Sequence, residues 1–163
     1  AAGAYFGAVF ELLSAWNLPV GGALRWSAPV AAGSAALLTA RPGYYEDAIT
    51  VVPACLFGGL AIGWAHARLE AFERALRSRR LDAIERRVEA GAAPRHGALI
   101  GEALLLHGTM TFLVIVFGVE GVSRTRPLLA SLPDILQGAL SAAALSLPGI
   151  GLASLAVQGI RRS

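Results

Sequence analysis

The sequence predicts an all-α integral membrane protein, a multi-helix bundle with broken or re-entrant helical segments. Of its 163 residues, 55% are hydrophobic and only 15% are charged, and the mean hydropathy is +0.59. Water-soluble domains carry about 25% charged residues. Apolar stretches long enough to cross a bilayer recur along the chain, and proline and glycine interrupt several of them. We expect residues 1–163 to form a single membrane domain, the central fragment of a longer subunit.

Charge and cysteine content exclude several classes of function. The formal charge of +3 could indicate a nucleic-acid partner. The arginines are concentrated in one segment between apolar stretches, however, which is the distribution expected of a cytoplasmic loop. We therefore expect no nucleic-acid partner. The single Cys55 excludes internal disulfides and cysteine-cluster metal sites, and it is typical of a buried small apolar residue.

The opening stretch, Tyr5–Trp26, is apolar enough for a bilayer but contains Glu11 and Asn17, and it is interrupted at positions 19–22 by proline and glycine. Backbone that leaves helical geometry at membrane depth is tolerated only inside protein or beside a water-filled cavity. A carboxylate at that depth is costly and generally marks a substrate or ion site. This stretch predicts a broken or re-entrant segment that forms part of a binding site.

The next two apolar stretches differ in length. Ser27–Ala40 has fourteen residues, fewer than the roughly twenty that a crossing helix needs. It predicts a half-span or a short helix packed within the protein. Ala48–Ala65 predicts a transmembrane helix, and its glycines permit close contact with a neighbouring helix.

Residues 66–96 form the only strongly charged region. The apolar spacing changes phase at residues 78–80, which predicts two short amphipathic helices joined by a turn. Pairs four residues apart, such as Glu73 with Arg77, are typical of a solvated helix face. With a stop at residues 91–94, this region predicts a cytoplasmic amphipathic connector.

The C-terminal half predicts two further spans. Gly97–Val119 is a crossing stretch, Glu120–Arg126 a short external polar loop, and Pro127–Ser131 a short interfacial helix. A last span begins at about Ile135, with Asp134 as the carboxylate at its helix start.

Four side chains are candidates for chemistry at membrane depth. The Glu11 carboxylate could accept hydrogen bonds from a sugar, or it could pair with Arg25. Asn17 adds amide donors between two tryptophans. His107 is either a substrate or proton-relay contact or a histidine hydrogen-bonded within a bundle, and Glu102 could simply reach the interface. No phosphate-binding loop, zinc-ligand spacing or nucleophile elbow occurs, so we expect no catalytic residue and no cofactor.

The ordered segments resemble the membrane subunit IIC of the mannose/fructose/sorbose family of bacterial sugar phosphotransferase systems. The similarity covers essentially the whole chain and rests on the order of several short motifs. They are Gly7 to Glu11, Pro19-Val20-Gly21-Gly22-Ala23, the segment from Arg80 to Arg86, Leu132-Pro133-Asp134, and Gln137-Gly138-Ala139-Leu140.

This resemblance implies a multi-pass subunit of the bacterial inner membrane that carries a hexose-type sugar. It implies a second membrane subunit, IID, cytoplasmic IIA and IIB components that perform the phosphoryl transfer, and a homo-oligomer of the IIC–IID complex. The family's Glu-or-Gln position falls on Glu11, which we expect to contact the sugar, with Asn17 and His107 as further contacts.

Two other functions fit the residues. A diverged membrane scaffold or sensor would keep the fold without transport. An unrelated ion-coupled carrier would use Glu102 and His107 as a proton pair.

Overall fold

A computed structural model describes residues 2–15, 27–41, 48–91 and 96–162 of the chain. Within these ranges there is no β-strand, so the predicted all-α class is confirmed. The helices are α1 (Ala2–Ala15), α2 (Ala28–Thr39), α3 (Ala48–Glu89), α4 (His96–Ala130) and α5 (Asp134–Arg162). The break predicted at residues 19–22 lies outside the described residues.

The core lies where α2 packs between α1 and the first half of α3. Pro29 in the first turn favours the start of α2, because its fixed φ already suits a helix. As predicted, α2 is a short helix within the protein and Cys55 is buried. The largest buried contributors from the three helices are Phe6, Val9, Phe10, Leu13, Leu38, Leu56 and Ile62.

Glycine allows α2 to lie against the backbone of α3. A Cβ atom at Gly59 would lie 2.7 Å from the carbonyl oxygen of Ala31, and one at Gly63 would lie 2.9 Å from that of Ser27. The backbone N–H of Ser27 also donates to the carbonyl of Gly63 at 3.0 Å. The start of α2 is therefore hydrogen-bonded to the interior of α3.

Helices α3 and α4 pack side by side in opposite directions. Gly58 lies against Val122, Gly118 lies against Ile62, and the pairs continue towards the far end of α3. The segments Val51–Arg86 and Gly97–Ala130 are both long and apolar enough to cross a membrane.

The structure corrects the predicted organisation of the charged region. Helix α3 runs without interruption to Glu89, so the predicted turn at residues 78–80 is wrong. No glycine or proline lies between Gly63 and Gly91, and strong helix formers dominate this stretch, so nothing in it ends the helix. The predicted stop is confirmed at Gly91, whose φ of +84° is the left-handed conformation that glycine adopts after a helix.

A second correction concerns the predicted polar loop at Glu120–Arg126, because α4 continues through it to Ala130. The polar side chains there are satisfied on the helix: Arg124 donates to Glu120 at 3.2 Å, and Arg41 contacts the same carboxylate at 2.8 Å. The predicted final helix is confirmed, since α5 begins at Asp134.

Helix α4 has polar and small residues on its inner face and large apolar residues on its outer face, the reverse of a helix in a water-soluble protein. Its face towards α3 carries small and polar residues such as Ala103, His107, Thr111 and Gly118. Its large apolar side chains instead point away from the bundle and are exposed, namely Ile100, Leu104, Leu105, Phe112 and Phe117. An amphipathic helix of a water-soluble domain directs its apolar face to the core.

Replacing Gly59 or Gly63 by alanine should lower the stability of the bundle. Each new methyl group would overlap a backbone oxygen that cannot move aside without shifting α2, at a cost of about 1–3 kcal/mol. Gly108→Ala is the matched control, because its new Cβ has no neighbour within 4 Å. The test is thermal unfolding followed by circular dichroism in detergent, and equal midpoints for the three variants would contradict the described packing.

Candidate functional site

A set of polar side chains lies between the two longest helices. Helix α3 contributes His66, Glu73 and Arg77, and α4 contributes His107 and Thr111; we name these five residues the α3–α4 polar cluster. On α3 they are spaced by seven and four residues, which places them on one face of the helix. The two residues of α4 are one turn apart, and the antiparallel packing aligns the two rows.

Glu73 is the centre of the cluster and is only 4% exposed. Its Oε2 atom accepts hydrogen bonds from Nη2 of Arg77 at 3.3 Å and from Nδ1 of His107 at 3.0 Å. Because a carboxylate only accepts, the proton of the His107 ring lies on Nδ1 in this arrangement. Two donors from two helices therefore compensate the burial of this charge, which would be costly alone.

Arg77 connects the same site to the backbone of α4. Its Nη2 atom also donates to the carbonyl oxygen of Ala103 at 3.0 Å. One guanidinium therefore bridges the carboxylate of its own helix and the main chain of the neighbouring helix.

His66 forms the other end of the cluster and is 5% exposed. Its Nε2 atom is hydrogen-bonded to Oγ1 of Thr111 at 2.9 Å, and its ring contacts that of His107 edge to face, with 5.8 Å between centroids. Nδ1 of His66 and Nε of Arg77 are buried without a hydrogen-bond partner among the described residues. Because such atoms are rare in folded proteins and each costs free energy, they mark this site as a functional candidate.

A more exposed ion pair continues the row towards the end of α3. Arg80 donates through Nη1 to Oε1 of Glu102, and the two side chains are 63% and 56% exposed. Such an exposed pair adds little stability by itself, but it shows that the polar row extends beyond the buried cluster.

The predicted site residues do not come together in one place. His107 lies in the cluster, whereas Glu11 is exposed on α1, which packs against α2 and α5. Asn17 lies outside the described residues. Glu102 and His107, the proton pair of the alternative carrier, have different partners here: Glu102 pairs with Arg80 and His107 pairs with Glu73.

Sequence reasoning missed His66 and Glu73. Both lie in the segment predicted to be a cytoplasmic connector of two short helices, in which Glu73 was expected on a solvated face. The feature of the sequence that could have identified them is the absence of glycine and proline between Gly63 and Gly91. It predicts one continuous helix, on which His66, Glu73 and Arg77 share a face that another helix can cover.

The cluster can exchange hydrogen bonds with hydroxyl groups, and its imidazole and carboxylate can carry a proton. Within the described parts of the chain, no group of three His, Cys, Asp or Glu side chains could hold a metal ion. No family model, curated protein sequence or solved structure matches the chain.

Glu73→Ala should destabilise the chain by about 2 kcal/mol, because it removes the acceptor shared by two charge-assisted hydrogen bonds. The matched control is Glu70→Ala, one turn earlier, whose pair with Arg74 is 3.5 Å long and largely exposed. That change should cost about 0.5 kcal/mol or less. Unfolding in detergent measures both variants, and equal losses would show that Glu73 is not buried between the helices.

Thr111→Val should cost about 1–3 kcal/mol, because the valine leaves Nε2 of the buried His66 without its partner. Thr109→Val is a control of the same chemistry on the exposed side of α4. We expect it to change the free energy of unfolding by at most about 0.5 kcal/mol. A Thr109 effect as large as that of Thr111 would refute the assigned hydrogen bond.

Proposed function

We propose that the chain is the sugar-translocating membrane subunit of a phosphoenolpyruvate-dependent sugar phosphotransferase system, of the IIC type of the mannose/fructose/sorbose family. The observation that carries the proposal is the burial of Glu73, with Arg77 and His107, between two helices of membrane-crossing length. His107 lies inside the apolar segment Gly97–Ala130, and ionisable groups inside membrane segments are costly and characteristic of solute and ion pathways. A simple membrane anchor has no use for them.

The location in a bilayer is supported by the inverted polarity of α4. Exposed Leu104, Leu105, Phe112 and Phe117 would be unfavourable in water but suit contact with lipid. Polar His107 and Thr111 face the neighbouring helix, where each has a hydrogen-bond partner. This is the arrangement expected when the solvent is hydrocarbon.

Helix α2 supports a transport function over a scaffold. With twelve residues, it spans about 18 Å, which is too short to cross the hydrocarbon core. Its start is nevertheless hydrogen-bonded to Gly63, within the long helix α3. Transporters commonly build solute sites with helices that are too short to cross the membrane.

The sugar and the partner subunits rest on the family resemblance. Under the proposal, Glu11 near the end of α1 contacts the sugar, with Asn17 as the further contact that we expect from the sequence. His107 belongs instead to the α3–α4 polar cluster. The IIA and IIB components supply the phosphoryl group, and IID completes the membrane complex. The chain itself performs no phosphoryl transfer.

A second candidate is a proton-coupled carrier, favoured by the contact between His107 and Glu73 at 3.0 Å. The proton pair would then be Glu73 with His107, not Glu102 with His107. Uptake into membrane vesicles distinguishes the two functions. Sugar accumulation driven by phosphoenolpyruvate supports the phosphotransferase subunit, whereas accumulation driven by a proton gradient alone supports the carrier.

The decisive experiment is calorimetric titration of the full-length subunit, purified with its IID partner, against mannose, glucose, fructose, sorbose and amino sugars. We expect one sugar to bind, and Glu11→Ala to weaken binding at least about tenfold, because a hydrogen bond to a charged group contributes about 1.5–3 kcal/mol. Glu70→Ala should leave the affinity unchanged.

Unchanged affinity in Glu11→Ala would remove Glu11 from the site without affecting the proposed family. Absence of binding to every sugar, in a complex that assembles normally, would instead favour the scaffold or sensor.

A further inference from the structure

A cleft of about 300 Å³ opens between α3 and α4, beside the buried cluster. Its volume lies at the lower end of the range for small-molecule sites. Its polar lining residues are Arg77 and Arg80 of α3 and Glu102 of α4. Its remaining wall is mainly aliphatic and consists of Leu76, Leu81, Ile84, Leu99 and Leu106, with Ala103.

The aliphatic wall determines which kind of ligand fits. A sugar or a free inorganic anion would gain nothing from five branched aliphatic side chains, and it would lose hydration against them. A hydrocarbon chain, in contrast, is stabilised by each methylene that it buries there. The exposed apolar face of α4, with Leu104 and Leu105, provides a surface on which such a chain can continue.

The charged residues that line the cleft determine which charge on a ligand is favourable. Arg80 is 63% exposed, and only its Nη1 atom is used by Glu102, so the rest of its guanidinium is accessible. Arg77 is already shared by Glu73 and the carbonyl oxygen of Ala103, so Arg80 supplies the accessible positive charge of the cleft. It lies in the segment of residues 66–96, which has eight arginines against five acidic residues. The planar guanidinium fork matches the oxygens of a phosphate.

We propose that this cleft binds an anionic phospholipid, with the lipid phosphate at Arg80 and an acyl chain along the aliphatic wall. The site rests on the membrane location in the proposed function, and it adds a ligand that is neither the sugar nor a partner subunit. Arginine clusters on the cytoplasmic side of membrane helices attract anionic lipids in this way. Glu102 opposes the phosphate, so its charge sets how tightly the lipid is held.

The test is native mass spectrometry of the full-length subunit, extracted from bilayers that contain equal amounts of phosphatidylglycerol and phosphatidylcholine. The wild-type protein should retain phosphatidylglycerol preferentially. Arg80→Gln should reduce that retention at least tenfold, whereas Arg79→Gln, an exposed neighbour outside the cleft, should leave it unchanged. Glu102→Gln should increase retention, because it removes the repelling charge but keeps the shape.

Equal retention of the two lipids, or equal loss of phosphatidylglycerol in Arg79→Gln and Arg80→Gln, would overturn the site. Displacement of the lipid by inorganic phosphate alone would show that the aliphatic wall contributes nothing, and would also overturn it. Alkaline extraction of the same bilayers separates the two proposals. If alkali releases the chain, it is not an integral membrane protein and both proposals are wrong. If the chain stays in the bilayer but shows no lipid preference, only the lipid site is wrong.

Discussion

The buried charge of Glu73 is the constraint that fixes how α3 and α4 lie against each other. The close contacts of Gly58 with Val122 and of Gly118 with Ile62 resist a slide of one helix past the other by a turn. A carboxylate that is 4% exposed does not permit such a slide either, because its compensating donors must be in place. A shift of α4 by four residues would place Ala103 or Thr111 where His107 now donates. The cluster therefore adds directional hydrogen bonds to the register that the glycine contacts between α3 and α4 already favour.

The molecule combines two kinds of packing along the single helix α3. In its first half, backbone meets backbone, as Gly59 and Gly63 admit α2 to distances that any side chain would prevent. In its second half, Glu73 and Arg77 replace that close contact with directional hydrogen bonds to α4. Dispersion and close packing mainly stabilise the contact of α3 with α2, whereas a few strong hydrogen bonds stabilise its contact with α4. Both kinds of contact act on one continuous helix, α3.

The sequence was most informative where composition and local spacing decide the structure. Small residues and insufficient length predicted α2 as a packed short helix, and Pro133 followed by Asp134 predicted the start of α5. The candidate site was harder to predict from the sequence, because it depends on which faces of α3 and α4 meet. The residues Glu73 and Arg77 pair equally well on a solvated helix or against a neighbour, and only the burial of Glu73 by α4 separates these cases. The polar residues from Glu120 to Arg124 likewise suggested a loop, although ion pairs with Arg41 and within α4 accommodate them on a helix.

The 42 residues of α3 give it a length of about 63 Å, roughly twice the thickness of a bilayer's hydrocarbon core. When a helix of this length tilts about one point, its far end moves further than the residues near that point. Its fixed point is at Gly63, where α2 is attached, and about 39 Å of helix extends from there to Glu89. By that geometry, a tilt of about 5° at the attachment displaces the far end by about 3 Å. Any such tilt would have to include α4, because Arg77 and Glu73 are hydrogen-bonded to Ala103 and His107 of that helix.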